Sequence, residues 1–188
     1  MCGIVGYVGE KQAANFLIDG LTKLEYRGYD SAGIAVFDGE KINVAKSVGR
    51  LAALKEKIKN NTPEGVMGIG HTRWATHGRP SDVNSHPHTD CSGKFAIVHN
   101  GIIENFMSLK EELIAKGHKF VSETDTEVVA HLIEDVYEGD FVEAVNKVLN
   151  RIEGSYSLAF MCQDYPDTLI CTKKDNPLVI GLGEGENL

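Results

Sequence analysis

A tight-turn dipeptide between two apolar runs is the feature that most constrains the fold of this chain. Residues 31–48 read SAGIAVFDGEKINVAKSV, with Asp38-Gly39 between two runs that have the character of strands. Asp-Gly suits a short hairpin turn, because the central residues of such a turn adopt positive φ. The segment therefore predicts two adjacent antiparallel strands, and the fold must hold them in one sheet.

The remaining periodicity places further strands toward both ends of the chain and helices between them. Apolar runs predict strands at IVGYV, GVMGIGHTRW, FAIVHNG, SYSLAFMCQD, DTLICTK and PLVIGLG. Helical spacing predicts one helix over residues 11–25 and two more between residues 124 and 152. Thr124 and Glu127 have the spacing of a capping box ahead of the first of those two. Strands, helices and strands again favour an α+β fold of antiparallel sheets packed with helices, rather than alternating βαβ units.

Length and charge limit the size of the protein and the partners that it can take. The chain has 188 residues, which favours one domain with one sizeable core. Its formal net charge is −8 and it has no basic block, so we expect no nucleic-acid partner and no membrane-surface partner. No apolar run approaches the roughly 20 residues of a membrane span, and the N-terminus has no signal-peptide pattern. We therefore expect a cytoplasmic protein whose four cysteines are free thiols.

The second residue, in MCGIVGYVG, permits two interpretations. Cys2 can be a small buried residue at the start of a strand, since unpaired cysteine is often buried. Alternatively Met1 is removed, and Cys2 then carries both a thiol and the free amino group of the chain. An α-amino group has a pKa of about 7.7–8.0, so it is partly uncharged near neutral pH and can accept the thiol proton as a general base.

Three further segments carry side chains that can bind a carboxylate, an oxyanion and an ammonium group. Arg73, in HTRWATHG, can clamp a carboxylate through two parallel hydrogen bonds, or can form an ordinary surface ion pair. Trp74 in the same segment is the only tryptophan, and a lone tryptophan is more often a core residue. Asn100 and Gly101 can donate to an oxyanion, although Asn-Gly is also a common turn. Asp125 can receive an ammonium group, or can favour a helix N-terminus.

Five histidines close together in the sequence raise the alternative of a zinc site. They are His71, His77, His86, His88 and His99. Their spacing contains neither the helical i, i+4 pair nor the H-E-x-x-H motif of many zinc hydrolases. Polar roles in ordering a loop are therefore favoured, and we expect no metal and no other cofactor.

Six segments, taken in order, resemble one family, the class II glutamine amidotransferase domains. They are CGIVGYVG, LEYRGYDSAGIAV, HTRWATHG, NSHPH, VHNGIIENF and ETDTEVVAHL, and the similarity extends to PLVIGLGEGEN. The YRGYDSAG and RWATHG segments favour the members that aminate fructose 6-phosphate over those that serve purine or asparagine synthesis. The resemblance implies the fold of an N-terminal-nucleophile (Ntn) hydrolase, an αββα sandwich in which two antiparallel sheets lie between helical layers.

The same resemblance implies a role for each candidate residue. Cys2, after loss of Met1, attacks the side-chain amide of glutamine. Its amine acts as the base and then protonates the departing ammonia, and water hydrolyses the thioester. The roles implied for the other positions are Asn100 and Gly101 for the oxyanion hole, Arg73 for the substrate carboxylate, Asp125 for its α-ammonium, Thr76 and His77 for the loop that holds glutamine, Trp74 for the gate of that loop, and Arg27 and Gly28 for the segment that lines the nucleophile.

The resemblance covers residues 1–188 as a glutaminase domain truncated at its C-terminus, without the sugar-isomerase domains of the longer members. It implies glutamine as the substrate, fructose 6-phosphate as a partner only through those downstream domains, and a homo-oligomeric parent enzyme. Two alternatives stay open. One is a domain that supplies ammonia to another acceptor. The other is a module that binds glutamine without turnover, as a chain that retains Met1 would.

Overall fold

The computed structural model describes residues 2–74 and 78–188, which contain nine strands and five helices. The strands are β1 Gly3–Gly9, β2 Ser31–Phe37, β3 Ile42–Val48, β4 Met67–Arg73, β5 His88–Thr89, β6 Phe95–Ile103, β7 Gly154–Cys162, β8 Leu169–Lys174 and β9 Glu186–Asn187. The helices are α1 Ala13–Leu24, α2 Leu51–Ile58, α3 Phe106–Ala115, α4 Glu127–Val136 and α5 Phe141–Leu149, and a 3₁₀ turn spans Glu25–Arg27. Within these described ranges, no helix is long and apolar enough to cross a lipid bilayer.

The strands form two antiparallel sheets. The first sheet has the order β3-β2-β4-β1-β9 and the second has the order β5-β6-β7-β8. The predicted hairpin is confirmed, because β2 pairs with β3 from Ser31 opposite Val48 to Phe37 opposite Ile42. Residues 38–41 connect the two strands. Asp38 Oδ1 accepts the N–H groups of Glu40 and Lys41, at 2.9 Å each. The aspartate thus stabilises the connection in which the sequence places it.

The alternation of side chains along doubly buried strands produces four layers. In β2, Ile34 and Val36 pack with residues of α1 and α2, whereas Ala35 and Phe37 face the other sheet. Strand β6 divides in the same way, with alternate residues facing the helices α3, α4 and α5 or facing the first sheet. The order of layers is therefore helix, sheet, sheet, helix, and the predicted αββα sandwich is confirmed.

The three predicted helices are confirmed as α1, α4 and α5, while α2 and α3 have no counterpart in the sequence analysis. Helix α2 buries Leu51, Leu54 and Ile58, and helix α3 buries only Leu109 and Leu113. So few buried positions among charged residues give a weak helical period, which explains why these two short helices escape a search for apolar periodicity.

The capping box expected at Thr124 and Glu127 is wrong. Helix α4 begins at Glu127, and Thr124 precedes it with its Oγ1 atom 3.0 Å from His88 Nε2. The Glu127 carboxylate accepts the N–H groups of Val121 and Ser122 at 2.8 and 2.6 Å. The glutamate therefore binds the chain several residues upstream of the helix, instead of closing a reciprocal cap with the threonine.

The strand expected at PLVIGLG is also wrong. Residues 177–183 contain a single bridge, between Leu182 and Asn187, and the two-residue strand β9 follows them. Val179 is 86% exposed. An apolar run forms a strand only where an open strand edge pairs with it, and the edge strand β8 ends at Lys174, before this run begins.

Candidate active site

The pairing of β1 with β4 positions the cysteine at the start of the chain. Gly3 lies opposite Thr72, so Cys2 lies at the strand end beside Arg73 and Trp74. The Trp74 N–H donates to Cys2 Sγ at 3.1 Å, and Sγ lies 3.5 Å from Trp74 O. Burial raises the pKa of the Cys2 thiol, and the hydrogen bond from Trp74 opposes that rise. Cys2 is therefore a partly exposed thiol at a strand end, not a core residue.

The 3₁₀ turn after α1 supplies one wall around Cys2. Arg27 Nε donates to Cys2 O at 3.3 Å. A Cβ atom at Gly28 would lie 2.7 Å from the carbonyl carbon of Arg73 and 3.0 Å from Trp74 N. Only glycine permits the backbone to approach this closely, so Gly28 allows the turn to lie against the strand end that contacts the thiol.

Strand β6 brings Asn100 and Gly101 to the same place from the second sheet. Asn100 Nδ2 donates to Cys2 O at 3.2 Å, so the side-chain amide is directed at the cysteine. Gly101 has φ +132°, and a Cβ atom there would collide with Ser155 O on the neighbouring strand. Asn100 thus contacts the backbone of Cys2, and both residues line the same cavity as Cys2. Their oxyanion-hole role stays a prediction.

His71 fixes the orientation of the Asn100 amide, a role that sequence reasoning did not assign to it. Its Nε2 atom lies 2.9 Å from Asn100 Oδ1 and 3.0 Å from His99 O. Both partners are acceptors, so Nε2 carries the hydrogen and donates. Burial lowers the pKa of His71 to about 3, so the ring is neutral near pH 7. This hydrogen bond holds Oδ1 of Asn100 and leaves its Nδ2 directed at Cys2.

A cation and an anion are both buried near the thiol. Arg73, at the end of β4, is 3% exposed and donates to Gly78 O at 3.3 Å. Asp125, just before α4, is 4% exposed and its Oδ2 accepts the Ile103 N–H at 2.9 Å. Burial lowers the pKa of the Arg73 guanidinium, and the negative charges of Asp30 and Asp125 act against that shift. The pair suits the two charged groups of an α-amino acid.

One cavity of about 1580 Å³ joins these groups. The predicted residues that line it are Cys2, Arg27, Arg73, Trp74, Asn100, Gly101 and Asp125. Trp74 is 46% exposed, and its ring meets that of Tyr29 edge-on with the centroids 5.3 Å apart, so the only tryptophan is not a core residue. Concave sites with mainly apolar walls and a few polar groups are typical of small-molecule binding.

Two predicted residues, Thr76 and His77, lie outside the described residues. Three other histidines of the 71–99 segment contact threonine hydroxyls near Asp125. His86 Nε2 and His99 Nδ1 each lie 2.9 Å from Thr126 Oγ1, and His88 Nε2 lies 3.0 Å from Thr124 Oγ1. Burial lowers the pKa of His86 and of His88. The three rings form a polar network that supports the segment before α4, a polar role of the kind that the sequence analysis favours for them.

Comparison with known sequences places this geometry in a family. A family model described as a glutamine amidotransferase domain matches residues 71–186. The chain is 60% identical over 187 residues to the glutamine–fructose-6-phosphate aminotransferase (isomerizing) of Caldanaerobacter subterraneus subsp. tengcongensis, covering 100% of this chain and 31% of that protein. The protein of the same name from Thermococcus kodakarensis is 55% identical over 188 residues. The match covers 99% of this chain and 31% of the length of that protein. The chain thus spans about 31% of the length of the curated relatives that it matches.

Solved structures agree with the sequence comparison. The glutamine phosphoribosylpyrophosphate amidotransferase of B. subtilis, complexed with ADP and GMP, superposes with a TM-score of 0.84 at 29% identity and covers 100% of this chain and 41% of that one. An allosteric regulatory enzyme of purine biosynthesis superposes with a TM-score of 0.82 at 29% identity and the same coverage. Because the family model matches well over half of the residues, this chain belongs to the glutamine amidotransferase domain family.

Proposed function

We propose that this domain hydrolyses glutamine to glutamate and ammonia, with Cys2 as the nucleophile after removal of Met1. Sγ forms a bond to the side-chain carbonyl carbon, the C–N bond breaks, and ammonia leaves with the proton that the thiol has given up. Water then attacks the γ-glutamyl thioester, breaks the S–C bond and releases glutamate. A thiolate is already a strong nucleophile, so this reaction requires no metal and no cofactor.

The amino group of Cys2 is the base in this proposal. Burial raises the pKa of the thiol, which must therefore lose a proton before it attacks near neutral pH. Within the described ranges, both hydrogen-bond contacts of Sγ are with the backbone of Trp74, not with an imidazole or a carboxylate. A free amine on the same residue, with an ordinary pKa of about 7.7–8.0, can take the proton directly or through one water.

The polar groups around the thiol each have a partner on the substrate in this proposal. Arg73 binds the α-carboxylate and Asp125 binds the α-ammonium, and their burial strengthens both interactions because the local dielectric constant is low. Asn100 Nδ2 and the Gly101 N–H donate to the oxyanion of the tetrahedral intermediate. Thr76 and His77 belong to the loop that holds glutamine, and Trp74 is the gate of that loop. Arg27 and Gly28 lie in the segment that lines the nucleophile.

The single observation that carries this proposal is the directed contact of Asn100 Nδ2 with Cys2 in a cavity that also holds a buried cation and a buried anion. The test is to incubate the chain lacking Met1 with glutamine, with and without hydroxylamine. Hydroxylamine intercepts a γ-glutamyl thioester and gives γ-glutamyl hydroxamate. We expect equal amounts of glutamate and ammonia without it, and hydroxamate with it.

D-glutamine is the matched control for this experiment, because its charged groups cannot meet Arg73 and Asp125 in the same arrangement. Release of glutamate without any hydroxamate would contradict a covalent intermediate. Binding of glutamine with no release of product would favour the alternative of a glutamine-binding module.

We further propose that the whole protein delivers this ammonia to fructose 6-phosphate, in the cytoplasm and as a homo-oligomer. The support is the high identity with the aminotransferases named for that sugar. The full-length protein should form an amino sugar phosphate from glutamine and fructose 6-phosphate. Consumption of phosphoribosyl pyrophosphate instead would favour the alternative of another ammonia acceptor.

A further inference from the structure

Four side chains that can bind a metal lie together beside helix α4. Cys91 lies in the turn after β5, His118 lies in the loop after α3, and His131 and Glu134 lie on successive turns of α4. We name these four residues the Cys91 cluster. Its members lie outside the lining of the glutamine cavity, so the site described above does not account for them.

The ligand atoms of the Cys91 cluster converge on one point. All four lie within 4.8 Å of one another. His131 Nδ1 lies 3.6 Å from Cys91 Sγ and 3.3 Å from Glu134 Oε2, and His118 Nδ1 lies 2.9 Å from the same oxygen. Tetrahedral zinc with its usual Zn–S and Zn–N bond lengths separates its ligand atoms by about 3.3–3.6 Å. Small side-chain adjustments would therefore bring all four atoms to bonding distance from one ion.

Both imidazoles have a carboxylate on their far side. His131 Nε2 lies 3.5 Å from Glu127 Oε1, and His118 Nε2 lies 3.7 Å from Asp135 Oδ1. As the structure stands, Nδ1 of His118 faces a carboxylate oxygen at 2.9 Å and therefore donates to it. In the Nε2–H tautomer, which a carboxylate beside Nε2 favours, the Nδ1 lone pair would instead be directed into the cluster. Metal-binding histidines are held in this way by outer carboxylates. The carboxylate near each Nε2 agrees with a cation site, and the convergence of the four ligand atoms carries the inference.

The surroundings of the thiol agree with a role as a ligand. The Lys119 N–H donates to Cys91 Sγ at 3.3 Å, which stabilises negative charge on sulfur. Cys91 is exposed, whereas His131 is 1% exposed. One ligand is therefore fixed in the protein interior, and an ion can reach the cluster from the solvent at Cys91. One thiolate, two imidazoles and one carboxylate suit Zn²⁺, whereas Mg²⁺ and Ca²⁺ require oxygen ligands.

We propose that the Cys91 cluster binds one zinc ion, which ties the turn after β5 and the loop after α3 to helix α4. The ion stabilises the segment that leads into α4 and that also carries Asp125. It takes no part in glutamine hydrolysis, and the proposal does not depend on that function. It departs from the expectation of a metal-free chain, which rested on other histidines and on the chemistry of the reaction.

Cobalt(II) is the spectroscopic probe for this site, because tetrahedral Co²⁺ absorbs strongly in the visible range and a thiolate ligand adds a charge-transfer band. The full chain is stripped of metal with its thiols reduced, and is then titrated with Co²⁺. We expect one Co²⁺ per chain, both absorption features, and their loss when one equivalent of Zn²⁺ is added.

Variants then distinguish specific Zn²⁺ binding at the cluster from nonspecific binding elsewhere on the chain. Cys91→Ser should abolish the charge-transfer band, and His118→Gln should weaken Zn²⁺ binding by more than the roughly 10–100-fold typical of outer-sphere partners. Asp135→Asn should weaken it by about 10–100-fold while the charge-transfer band persists. Cys171→Ser and Glu138→Gln, which remove a thiol and a carboxylate elsewhere, are the matched controls and should leave the affinity unchanged.

Circular dichroism on each variant checks that it remains folded. The proposal is overturned if the wild-type chain binds less than stoichiometric Co²⁺, or if the charge-transfer band persists in Cys91→Ser. It is also overturned if the cluster variants and the two controls bind Zn²⁺ equally, since hydrogen bonds between the two imidazoles and Glu134 would then explain the geometry.

Discussion

Cys2 and Cys91 are both accessible thiols, but their surroundings prepare them for different tasks. Within the described ranges, the hydrogen-bond partners of Cys2 Sγ are backbone atoms of Trp74, and Cys2 lines a large cavity. Sγ of Cys91 lies 3.6 Å from an imidazole nitrogen, in a set of four ligand atoms. A nucleophile must leave room for a substrate, whereas a metal ligand needs neighbours that converge on one point.

The two sites also differ in where their charges lie. Around Cys2, Arg73 and Asp125 are separate buried charges that can bind opposite ends of one small molecule. Around Cys91, the Glu134 carboxylate contacts both histidines directly, at 2.9 and 3.3 Å. Side-chain spacing, more than composition, therefore distinguishes the site for a substrate from the site for an ion.

The largest expected effect that tests this comparison is that of Cys2→Ala. We expect glutamine hydrolysis to fall by at least about 10³-fold, since loss of a nucleophile removes the covalent route. Glutamine binding, measured by calorimetry, should persist, and the zinc content should equal that of the wild-type chain. Substantial residual hydrolysis would refute Cys2 as the nucleophile, and loss of zinc would show that the two thiols are not independent.

Asn100→Ala should produce the next largest effect. If Nδ2 donates to the oxyanion, kcat should fall by about 10²–10³-fold, as for loss of one oxyanion-hole donor, with KM nearly unchanged. Steady-state kinetics on the processed chain measure both constants. A loss confined to KM would assign Asn100 to ground-state binding instead.

Asp125→Asn should have a smaller effect, and mainly on binding. The amide keeps an oxygen for the Ile103 N–H at the position that Oδ2 now occupies, so the fold should persist. Loss of the charge should raise KM for glutamine by about 10–100-fold, the value of one charged hydrogen bond. An unchanged KM in the folded variant would contradict the ammonium-binding role.

The smallest expected effect concerns pH and His71. Its pKa is about 3 in the folded chain, against an ordinary value of 6.5. As the pH falls, His71 therefore binds a proton in the unfolded chain before it does so in the folded chain. The free energy of unfolding decreases as the pH falls from about 6.5 toward about 3. His71→Gln retains an N–H donor but does not titrate, so its thermal midpoint should fall less steeply between about pH 7 and pH 4. Parallel curves for the two proteins would contradict the buried neutral ring.

Local patterns were sufficient to predict much of the fold. The hairpin over residues 31–48 depends on neighbouring residues and on Asp38-Gly39, and both observed strands lie within it. The pairing of Gly3 with Thr72, which places Cys2 in the site, joins distant segments and follows from no local period. Only the resemblance to a family implied the four-layer arrangement.

The errors have physical causes that a single sequence does not reveal. PLVIGLG has the composition of a strand, but a strand also needs a free edge at the correct place. His71 has no motif of its own, because its role depends on two acceptors, Asn100 Oδ1 and His99 O, that meet one ring nitrogen. The Cys91 cluster takes its ligands from three separate segments, so no spacing motif in the sequence predicts it.

The most direct test of the central claim compares two samples of the same chain, each identified by its intact mass. One sample lacks Met1, and the other retains it. We predict that only the first releases glutamate from glutamine, since only there is the amine of Cys2 free to accept the thiol proton. Equal release by both samples would contradict the amine of Cys2 as the base.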